Sequence, residues 1–141
     1  MKRSRVSIWI QRLASRTARR LRQEAGGGLS PTTQAALATI DRHGPLTPSE
    51  LAARERIQRP TATRLIANLE ADGLVARTPD PVDGRSSLIA LTPEGAKLLQ
   101  DVRTRKDAFL AERLRRLSAE DRATLDRAAD LLEGLLEDDQ A

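Results

Sequence analysis

The chain has no cysteine and no tyrosine, and a single histidine, tryptophan and phenylalanine. Without cysteine there is no disulfide, no thiolate nucleophile, no cysteine-ligated zinc and no thiol that could sense oxidants. One histidine rules out an HExxH metal site, and no glycine-rich phosphate cradle occurs. The Asp80–Arg85 loop lacks the alternating oxygen ligands and closing Glu of a calcium loop. Little remains for chemistry, so no catalytic residue, metal or cofactor is expected. Long apolar runs are missing too. "VSIWI" follows Lys2, Arg3 and Arg5, but Gln11 and Arg12 end it after five residues. That is too short for a signal peptide, and nothing approaches the ~20 apolar residues of a membrane span. A cytoplasmic, non-membrane protein is expected.

What is present is charge. Lys and Arg total 24 against 20 Asp and Glu, a net charge of +4 in 141 residues, with a pI near 10.5. The balance permits a polyanionic partner without demanding one. The length suits one domain that buries about two-thirds of its unfolded surface and folds without staples.

Apolar periodicity predicts mostly helix. Val6, Ile10, Leu13, Thr17 and Leu21 recur at intervals of three and four over 5–24, with Trp9 beside them and arginines opposite. The glycines at 26–28 stop that helix. Ser30 caps a second helix, with Pro31 at its first position, running to about Arg42 and burying Ala35, Leu37, Ala38 and Ile40. Thr47 and Glu50 form a capping box for a third helix with Leu51 and Ala52 inward. After a break near Arg56 a fourth helix carries Ile57, Ala62, Leu65, Ile66 and Leu69, and Gly73 ends it. "LVART" and "SLIAL" read as an antiparallel hairpin around a long polar loop. Thr92 and Pro93 open a helix to about 116, and Ser118 restarts the chain as a last helix. The tail "EDDQA" is expected to fray. The fold class is mainly α with a small β-hairpin wing, and its middle is a winged helix-turn-helix.

The fourth helix has a free face with Arg59, Thr61, Thr63, Arg64 and Asn68. A major groove about 12 Å wide admits such a helix, and arginine there bonds guanine in two places. Pro60 stiffens the helix start while removing one donor. The hairpin carries Arg85 near its tip, beside Ser86, with Gly84 freeing the turn. Arginine is favoured in the narrow, negative minor groove of A·T tracts. Asp80 or Asp83, with Asp83 favoured, either pairs with Arg85 or bonds the N–H groups of the loop, and in both cases holds its shape. Arg59, Pro60, Thr61, Thr63, Arg64, Asn68, Asp83, Arg85 and Ser86 are therefore the candidate DNA-binding residues. The rival is a winged helix that binds protein or a small ligand without specific DNA binding. Salt dependence separates the two.

Residues 46 to 95 resemble the winged helix-turn-helix of the MarR family of bacterial transcription regulators. The matching pieces are Leu46-Thr47-x-x-Glu50-Leu51-Ala52, Thr63-Arg64, Leu69-Glu70, Gly73-Leu74-Val75, Arg77, Asp80-x-x-Asp83-x-Arg85 and Leu91-Thr92-x-x-Gly95. Two departures stand out. Gln58 occupies a position where many members have a capping Ser, and Pro60 lies in the first helical turn. The resemblance implies a homodimer whose first and last two helices interlock. It assigns residues 1–30 and 92–141 to a helical dimerisation platform and 31–91 to the DNA-binding lobe. It also implies repression at a pseudo-palindromic double-stranded site, with release by a small anionic or aromatic effector. Candidate effector residues are Trp9, Leu13, Arg16, His43 and Phe109. Trp9 and Phe109 read first as dimer core, and His43 as a cap on the last carbonyls of its helix.

Overall fold

The computed structural model describes residues 4–26 and 28–137; Met1, Lys2, Arg3, Gly27 and the acidic tail beyond Glu137 lie outside the described residues. The order is α1 (Arg5–Ala25), α2 (Pro31–His43), α3 (Pro48–Glu55), α4 (Arg59–Ala71), β1 (Val75–Pro79), β2 (Ser87–Leu91), α5 (Pro93–Leu114) and α6 (Ala119–Glu137). That is the expected succession, with the hairpin wing directly after the helix-turn-helix. Residues up to Lys106 make one compact unit and those from Asp107 a second.

Local chemistry sets the helix boundaries. Ser30 Oγ accepts the Thr33 N–H at 3.1 Å, and Pro31 begins α2 with its missing donor where no partner exists. At α3 both arms of the capping box form: the Thr47 N–H donates to Glu50 Oε2 at 2.8 Å, and the Glu50 N–H to Thr47 Oγ1 at 3.2 Å. Ser118 caps α6 by accepting the Asp121 N–H at 3.0 Å. The turn between α3 and α4 closes on Arg56, at φ 53°. A left-handed residue of this kind usually ends a helix as glycine, and an arginine there costs about 1–2 kcal/mol. The turn recovers part of that by bonding the Ile57 N–H to the Ala52 carbonyl at 3.0 Å. α2 turns inward through Ala36, Leu37 and Ile40, whereas Ala35, expected inside, is exposed. Gln34, one residue earlier, takes the inward place.

The core of the first unit joins Leu37 and Ile40 of α2, Leu51 of α3, Ile66 and Leu69 of α4, Leu74, Val75, Ile89 and Leu99. β1 and β2 pair from Val75↔Leu91 to Pro79↔Ser87. One rung was not anticipated. Leu46, just before the capping box, exchanges both backbone bonds with Ile89, at 2.7 and 3.1 Å, and so fixes the root of the wing to the start of α3. Thr92 secures the other side, donating its hydroxyl to the Gly73 carbonyl at 2.6 Å and its N–H to the Leu74 carbonyl at 3.0 Å.

The terminal helices differ. α1 buries only Ala25 and α6 buries nothing. Val6, Trp9, Leu13, Leu125, Leu131, Leu135 and Leu136 all remain exposed. No helix among the described residues is long and apolar enough to cross a membrane.

Candidate nucleic-acid interface

α4 sorts its side chains into three faces. Ala62, Ile66 and Leu69 face the core. Pro60, Thr61, Arg64 and Asn68 lie roughly 100–200° around the helix from Arg59, and all four are exposed. Arg59 and Thr63 form a third face, which looks onto the wing. Gln58 makes no side-chain cap bond, and Pro60 has no donor. Pro60 thus removes one N–H from the first turn, and the missing Gln58 cap leaves the remaining ones to attract phosphate. Thr63 gives its hydroxyl hydrogen to the Arg59 carbonyl at 3.0 Å, which leaves its oxygen lone pairs and methyl for a partner.

The hairpin loop is internally tied. Asp80 Oδ1 accepts the Val82 N–H at 2.9 Å, and Asp83 Oδ1 accepts the Arg85 N–H at 3.0 Å. The Asp80 N–H reaches the Ser86 carbonyl at 3.1 Å, and the Ser86 N–H the Asp83 carbonyl at 3.0 Å. Of the two roles foreseen for Asp83, it takes the second: it bonds the backbone of Arg85. The arginine head group is left exposed at the tip, held in place by its own main chain. Both aspartates therefore serve as turn acceptors, with their charge partly satisfied by loop N–H groups.

Between α4 and the wing runs a polar groove of about 530 Å³, walled by Arg59, Thr63, Asp83, Arg85 and Ser86 together with Pro48, Ser49, Arg77 and Ser87. Five of the nine candidate residues meet here. Pro60, Thr61, Arg64 and Asn68 do not line the groove; they stand on the open side of the same helix. Arg85 is thus a neighbour of Arg59 across the groove. Sequence reasoning missed Pro48, Ser49, Arg77 and Ser87 as wall residues. Only Arg77 carried a signal: in β1 it falls on the same side of the sheet as the buried Val75. Three arginines around one groove, beside an exposed helical face with Arg64, make a surface suited to a polyanion with a readable edge.

The candidate effector residues are scattered. Trp9, Leu13 and Arg16 are exposed on α1, and His43 is exposed at the end of α2, where the cap bond comes from the Gly44 N–H to the Ile40 carbonyl at 2.8 Å. In the second unit Phe109 is half-buried, with the Arg113 guanidinium 3.5 Å from its ring centroid. None of the five lines the cleft of about 330 Å³ that α1, α2 and α5 enclose. Its floor is Leu21, Leu99 and Val102, and its rim carries Arg22, Arg103 and Lys106. Buried Gln34 crosses it, accepting from Lys106 Nζ at 3.1 Å and donating to the Leu29 carbonyl at 3.4 Å. Arg103 pairs with Asp41 of α2 at 3.1 Å.

Comparison with known proteins agrees with this geometry. The model of the MarR family matches residues 29–87. An HTH-type transcriptional regulator of Mycobacterium bovis is 39% identical over 136 residues, 96% of this chain and 92% of that relative. The HTH-type transcriptional repressor MdtR of Bacillus subtilis is 32% identical over 94 residues, 67% of this chain and 61% of the repressor. Among solved structures, a putative transcriptional regulator of Pseudomonas aeruginosa superposes with a TM-score of 0.84 at 32% identity, covering 93% of each chain.

Proposed function

The chain belongs to the MarR family and is a DNA-binding transcriptional regulator; on that footing we propose that it is a homodimeric repressor of a pseudo-palindromic operator, released by a small ligand. The observation that carries the reading is the pair of cationic surfaces side by side, the open face of α4 and the arginine-walled groove leading to the wing. Arg64, with Thr61 and Asn68, reads base edges in the major groove. Pro60 keeps the helix start stiff. Arg59, Thr63 and Ser86 hold phosphates along the groove, Asp83 shapes the loop, and Arg85 enters the adjacent minor groove.

Residues 31–91 form the reading lobe, and the apolar faces of 1–30 and 92–141 join two copies. Repression is supported by the naming of the Bacillus relative as a repressor. The cleft between α1, α2 and α5 suits a small anion, with an apolar floor and cations at its rim. We read the chain as a cytoplasmic regulator with no reaction of its own.

Fluorescence anisotropy of labelled duplexes against salt tests the reading. Affinity for a site selected from random duplexes should fall about 10³-fold or more between 50 and 200 mM salt, as six or more phosphate contacts release counterions. Arg64→Ala should cost about 1–3 kcal/mol at one base position per half-site. Arg85→Ala should weaken binding more on A·T-rich than on G·C-rich flanks. A flat salt response, or no preference over random duplex, overturns the proposal.

A further inference from the structure

We propose that Glu70 and Arg77 form the joint that sets the distance between recognition helix and wing, and that this joint fixes the spacing an operator must keep between its base-read core and its A·T-rich flank. The inference rests on the two-groove reading above and adds a positioning pair to it.

Strand alternation supplies the first argument. Arg77 stands opposite Ile89 in the register, and Val75 lies two residues before it. Residues opposite one another, or two apart along a strand, share a side of the sheet. Val75 and Ile89 are both buried. Arg77 is therefore an arginine on the inward face of the wing, at the margin of the core, turned toward α4. Helix geometry supplies the second. Glu70 follows Arg59 by eleven residues, about three full turns, and so lies within roughly 20° of it on the face that looks onto the wing. The two side chains meet there, Arg77 Nε donating to Glu70 Oε1 at 2.5 Å. Among the described residues no other ion pair joins the hairpin to α4.

Both partners are 36% exposed, and a pair this wet contributes little to folding. Its position gives it another use. Arg77 sits about two strand residues, roughly 7 Å, before the loop that carries Arg85, so a small tilt at Arg77 is magnified at the tip. Asp80 and Asp83 tie the loop to itself, so that a tilt at its base carries Arg85 with it. The bond to Glu70 uses only Nε. The Nη hydrogens of Arg77 remain for a phosphate in the groove whose wall it forms. Glu70 thus sets both the wing angle and the direction in which Arg77 offers its remaining donors.

The experiment uses the full-length protein and duplexes in which zero, one or two base pairs are inserted between the selected core and its A·T-rich flank. The wild type should disfavour the one-base insertion by about tenfold, the size of one mismatched base pair. Glu70→Gln should bind the uninserted core within about threefold of wild type, keep the wild-type melting temperature and lose most of that discrimination. The exchange Glu70→Arg with Arg77→Glu should restore the spacing preference at lower overall affinity, since the pair is re-formed but the phosphate donors of Arg77 are gone. Wild-type spacing preference in Glu70→Gln, or an exchange variant with none, overturns the joint. A wild type that binds all three spacings equally overturns the two-groove reading itself.

Discussion

Leu131→Asp combined with Leu135→Asp leaves a folded monomer, and affinity for an operator with two half-sites falls by about 10²–10⁴-fold, the advantage that a second linked site confers. Leu131 is 61% and Leu135 66% exposed in the single chain, so aspartate at either position meets water and leaves the fold of one copy unharmed. One helical turn apart, they occupy one face of α6. Fully burying a leucine stabilises by roughly 1.5–3 kcal/mol, and a helix that leaves five leucines exposed gains that only against a partner. In the proposed homodimer a second copy of this chain supplies that partner. In the proposed dimer the two substitutions would bury four carboxylates with no partner, a cost of several kcal/mol. Sedimentation velocity and circular dichroism check the outcome. An intact dimer would move the interface off this face of α6, and a chain that has lost its helical signal would show the leucines holding the single copy together.

Much of the fold was legible in the sequence because its signals are local. Ser30, the Thr47–Glu50 box, Ser118 and the prolines after two of the caps mark helix starts by bonds that span three residues. Gly73, at φ 72°, marks the end of α4. "SLIAL" is β2 as expected, whereas β1 runs one residue later than "LVART", because Leu74 ends the turn with its N–H on the Leu69 carbonyl. The candidate interface was legible where it lies on one element: the arginines and threonines of α4 and the tip of the loop.

Contacts between distant parts of the chain were not legible. The Leu46–Ile89 rung joins residues 43 apart in sequence, so no local pattern announces it. Ser49 and Ser87 wall the groove only because that rung brings the start of α3 beside the wing. The cleft is closed by Gln34 and Lys106, 72 residues apart. Ala35 was misplaced because an alanine-rich segment has almost no amphipathic contrast, and a buried glutamine is an improbable choice against an alanine until its two partners are known. The effector residues, chosen for aromatic or ionisable character, missed the cleft because its floor is aliphatic.

Gly95→Ala should lower stability by about 3 kcal/mol or more, at the upper end of what overpacking costs, and so lower the melting temperature by roughly 6–12 °C for a chain of this size. Alanine is normally the better residue inside a helix, so the sign of this effect needs a specific cause. Gly95 lies in the first turn of α5, pressed against the end of the α4–β1 turn. A Cβ there would stand 2.0 Å from the Leu74 carbonyl oxygen and 3.0 Å from its carbon. Both are backbone atoms, so no side chain can rotate aside. The same carbonyl accepts the Thr92 N–H at 3.0 Å, while the Thr92 hydroxyl accepts the Gly95 N–H at 3.1 Å and donates to the Gly73 carbonyl. Moving Leu74 to admit a methyl group therefore breaks the clasp between the wing root and α5, and it displaces Val75, which is buried beside it. The substitution should weaken DNA binding at temperatures well below its new melting point, because the wing shifts before the domain unfolds. Gly134→Ala is the control. It lies within α6, a Cβ there meets nothing within 4 Å in the single chain, and the change should raise the stability of that chain by about 0.5–1 kcal/mol. Calorimetry on the two variants checks both signs; a Gly95→Ala protein that melts at or above the wild-type temperature would mean that the backbone yields at Leu74 without cost, and that the clasp does not hold the wing.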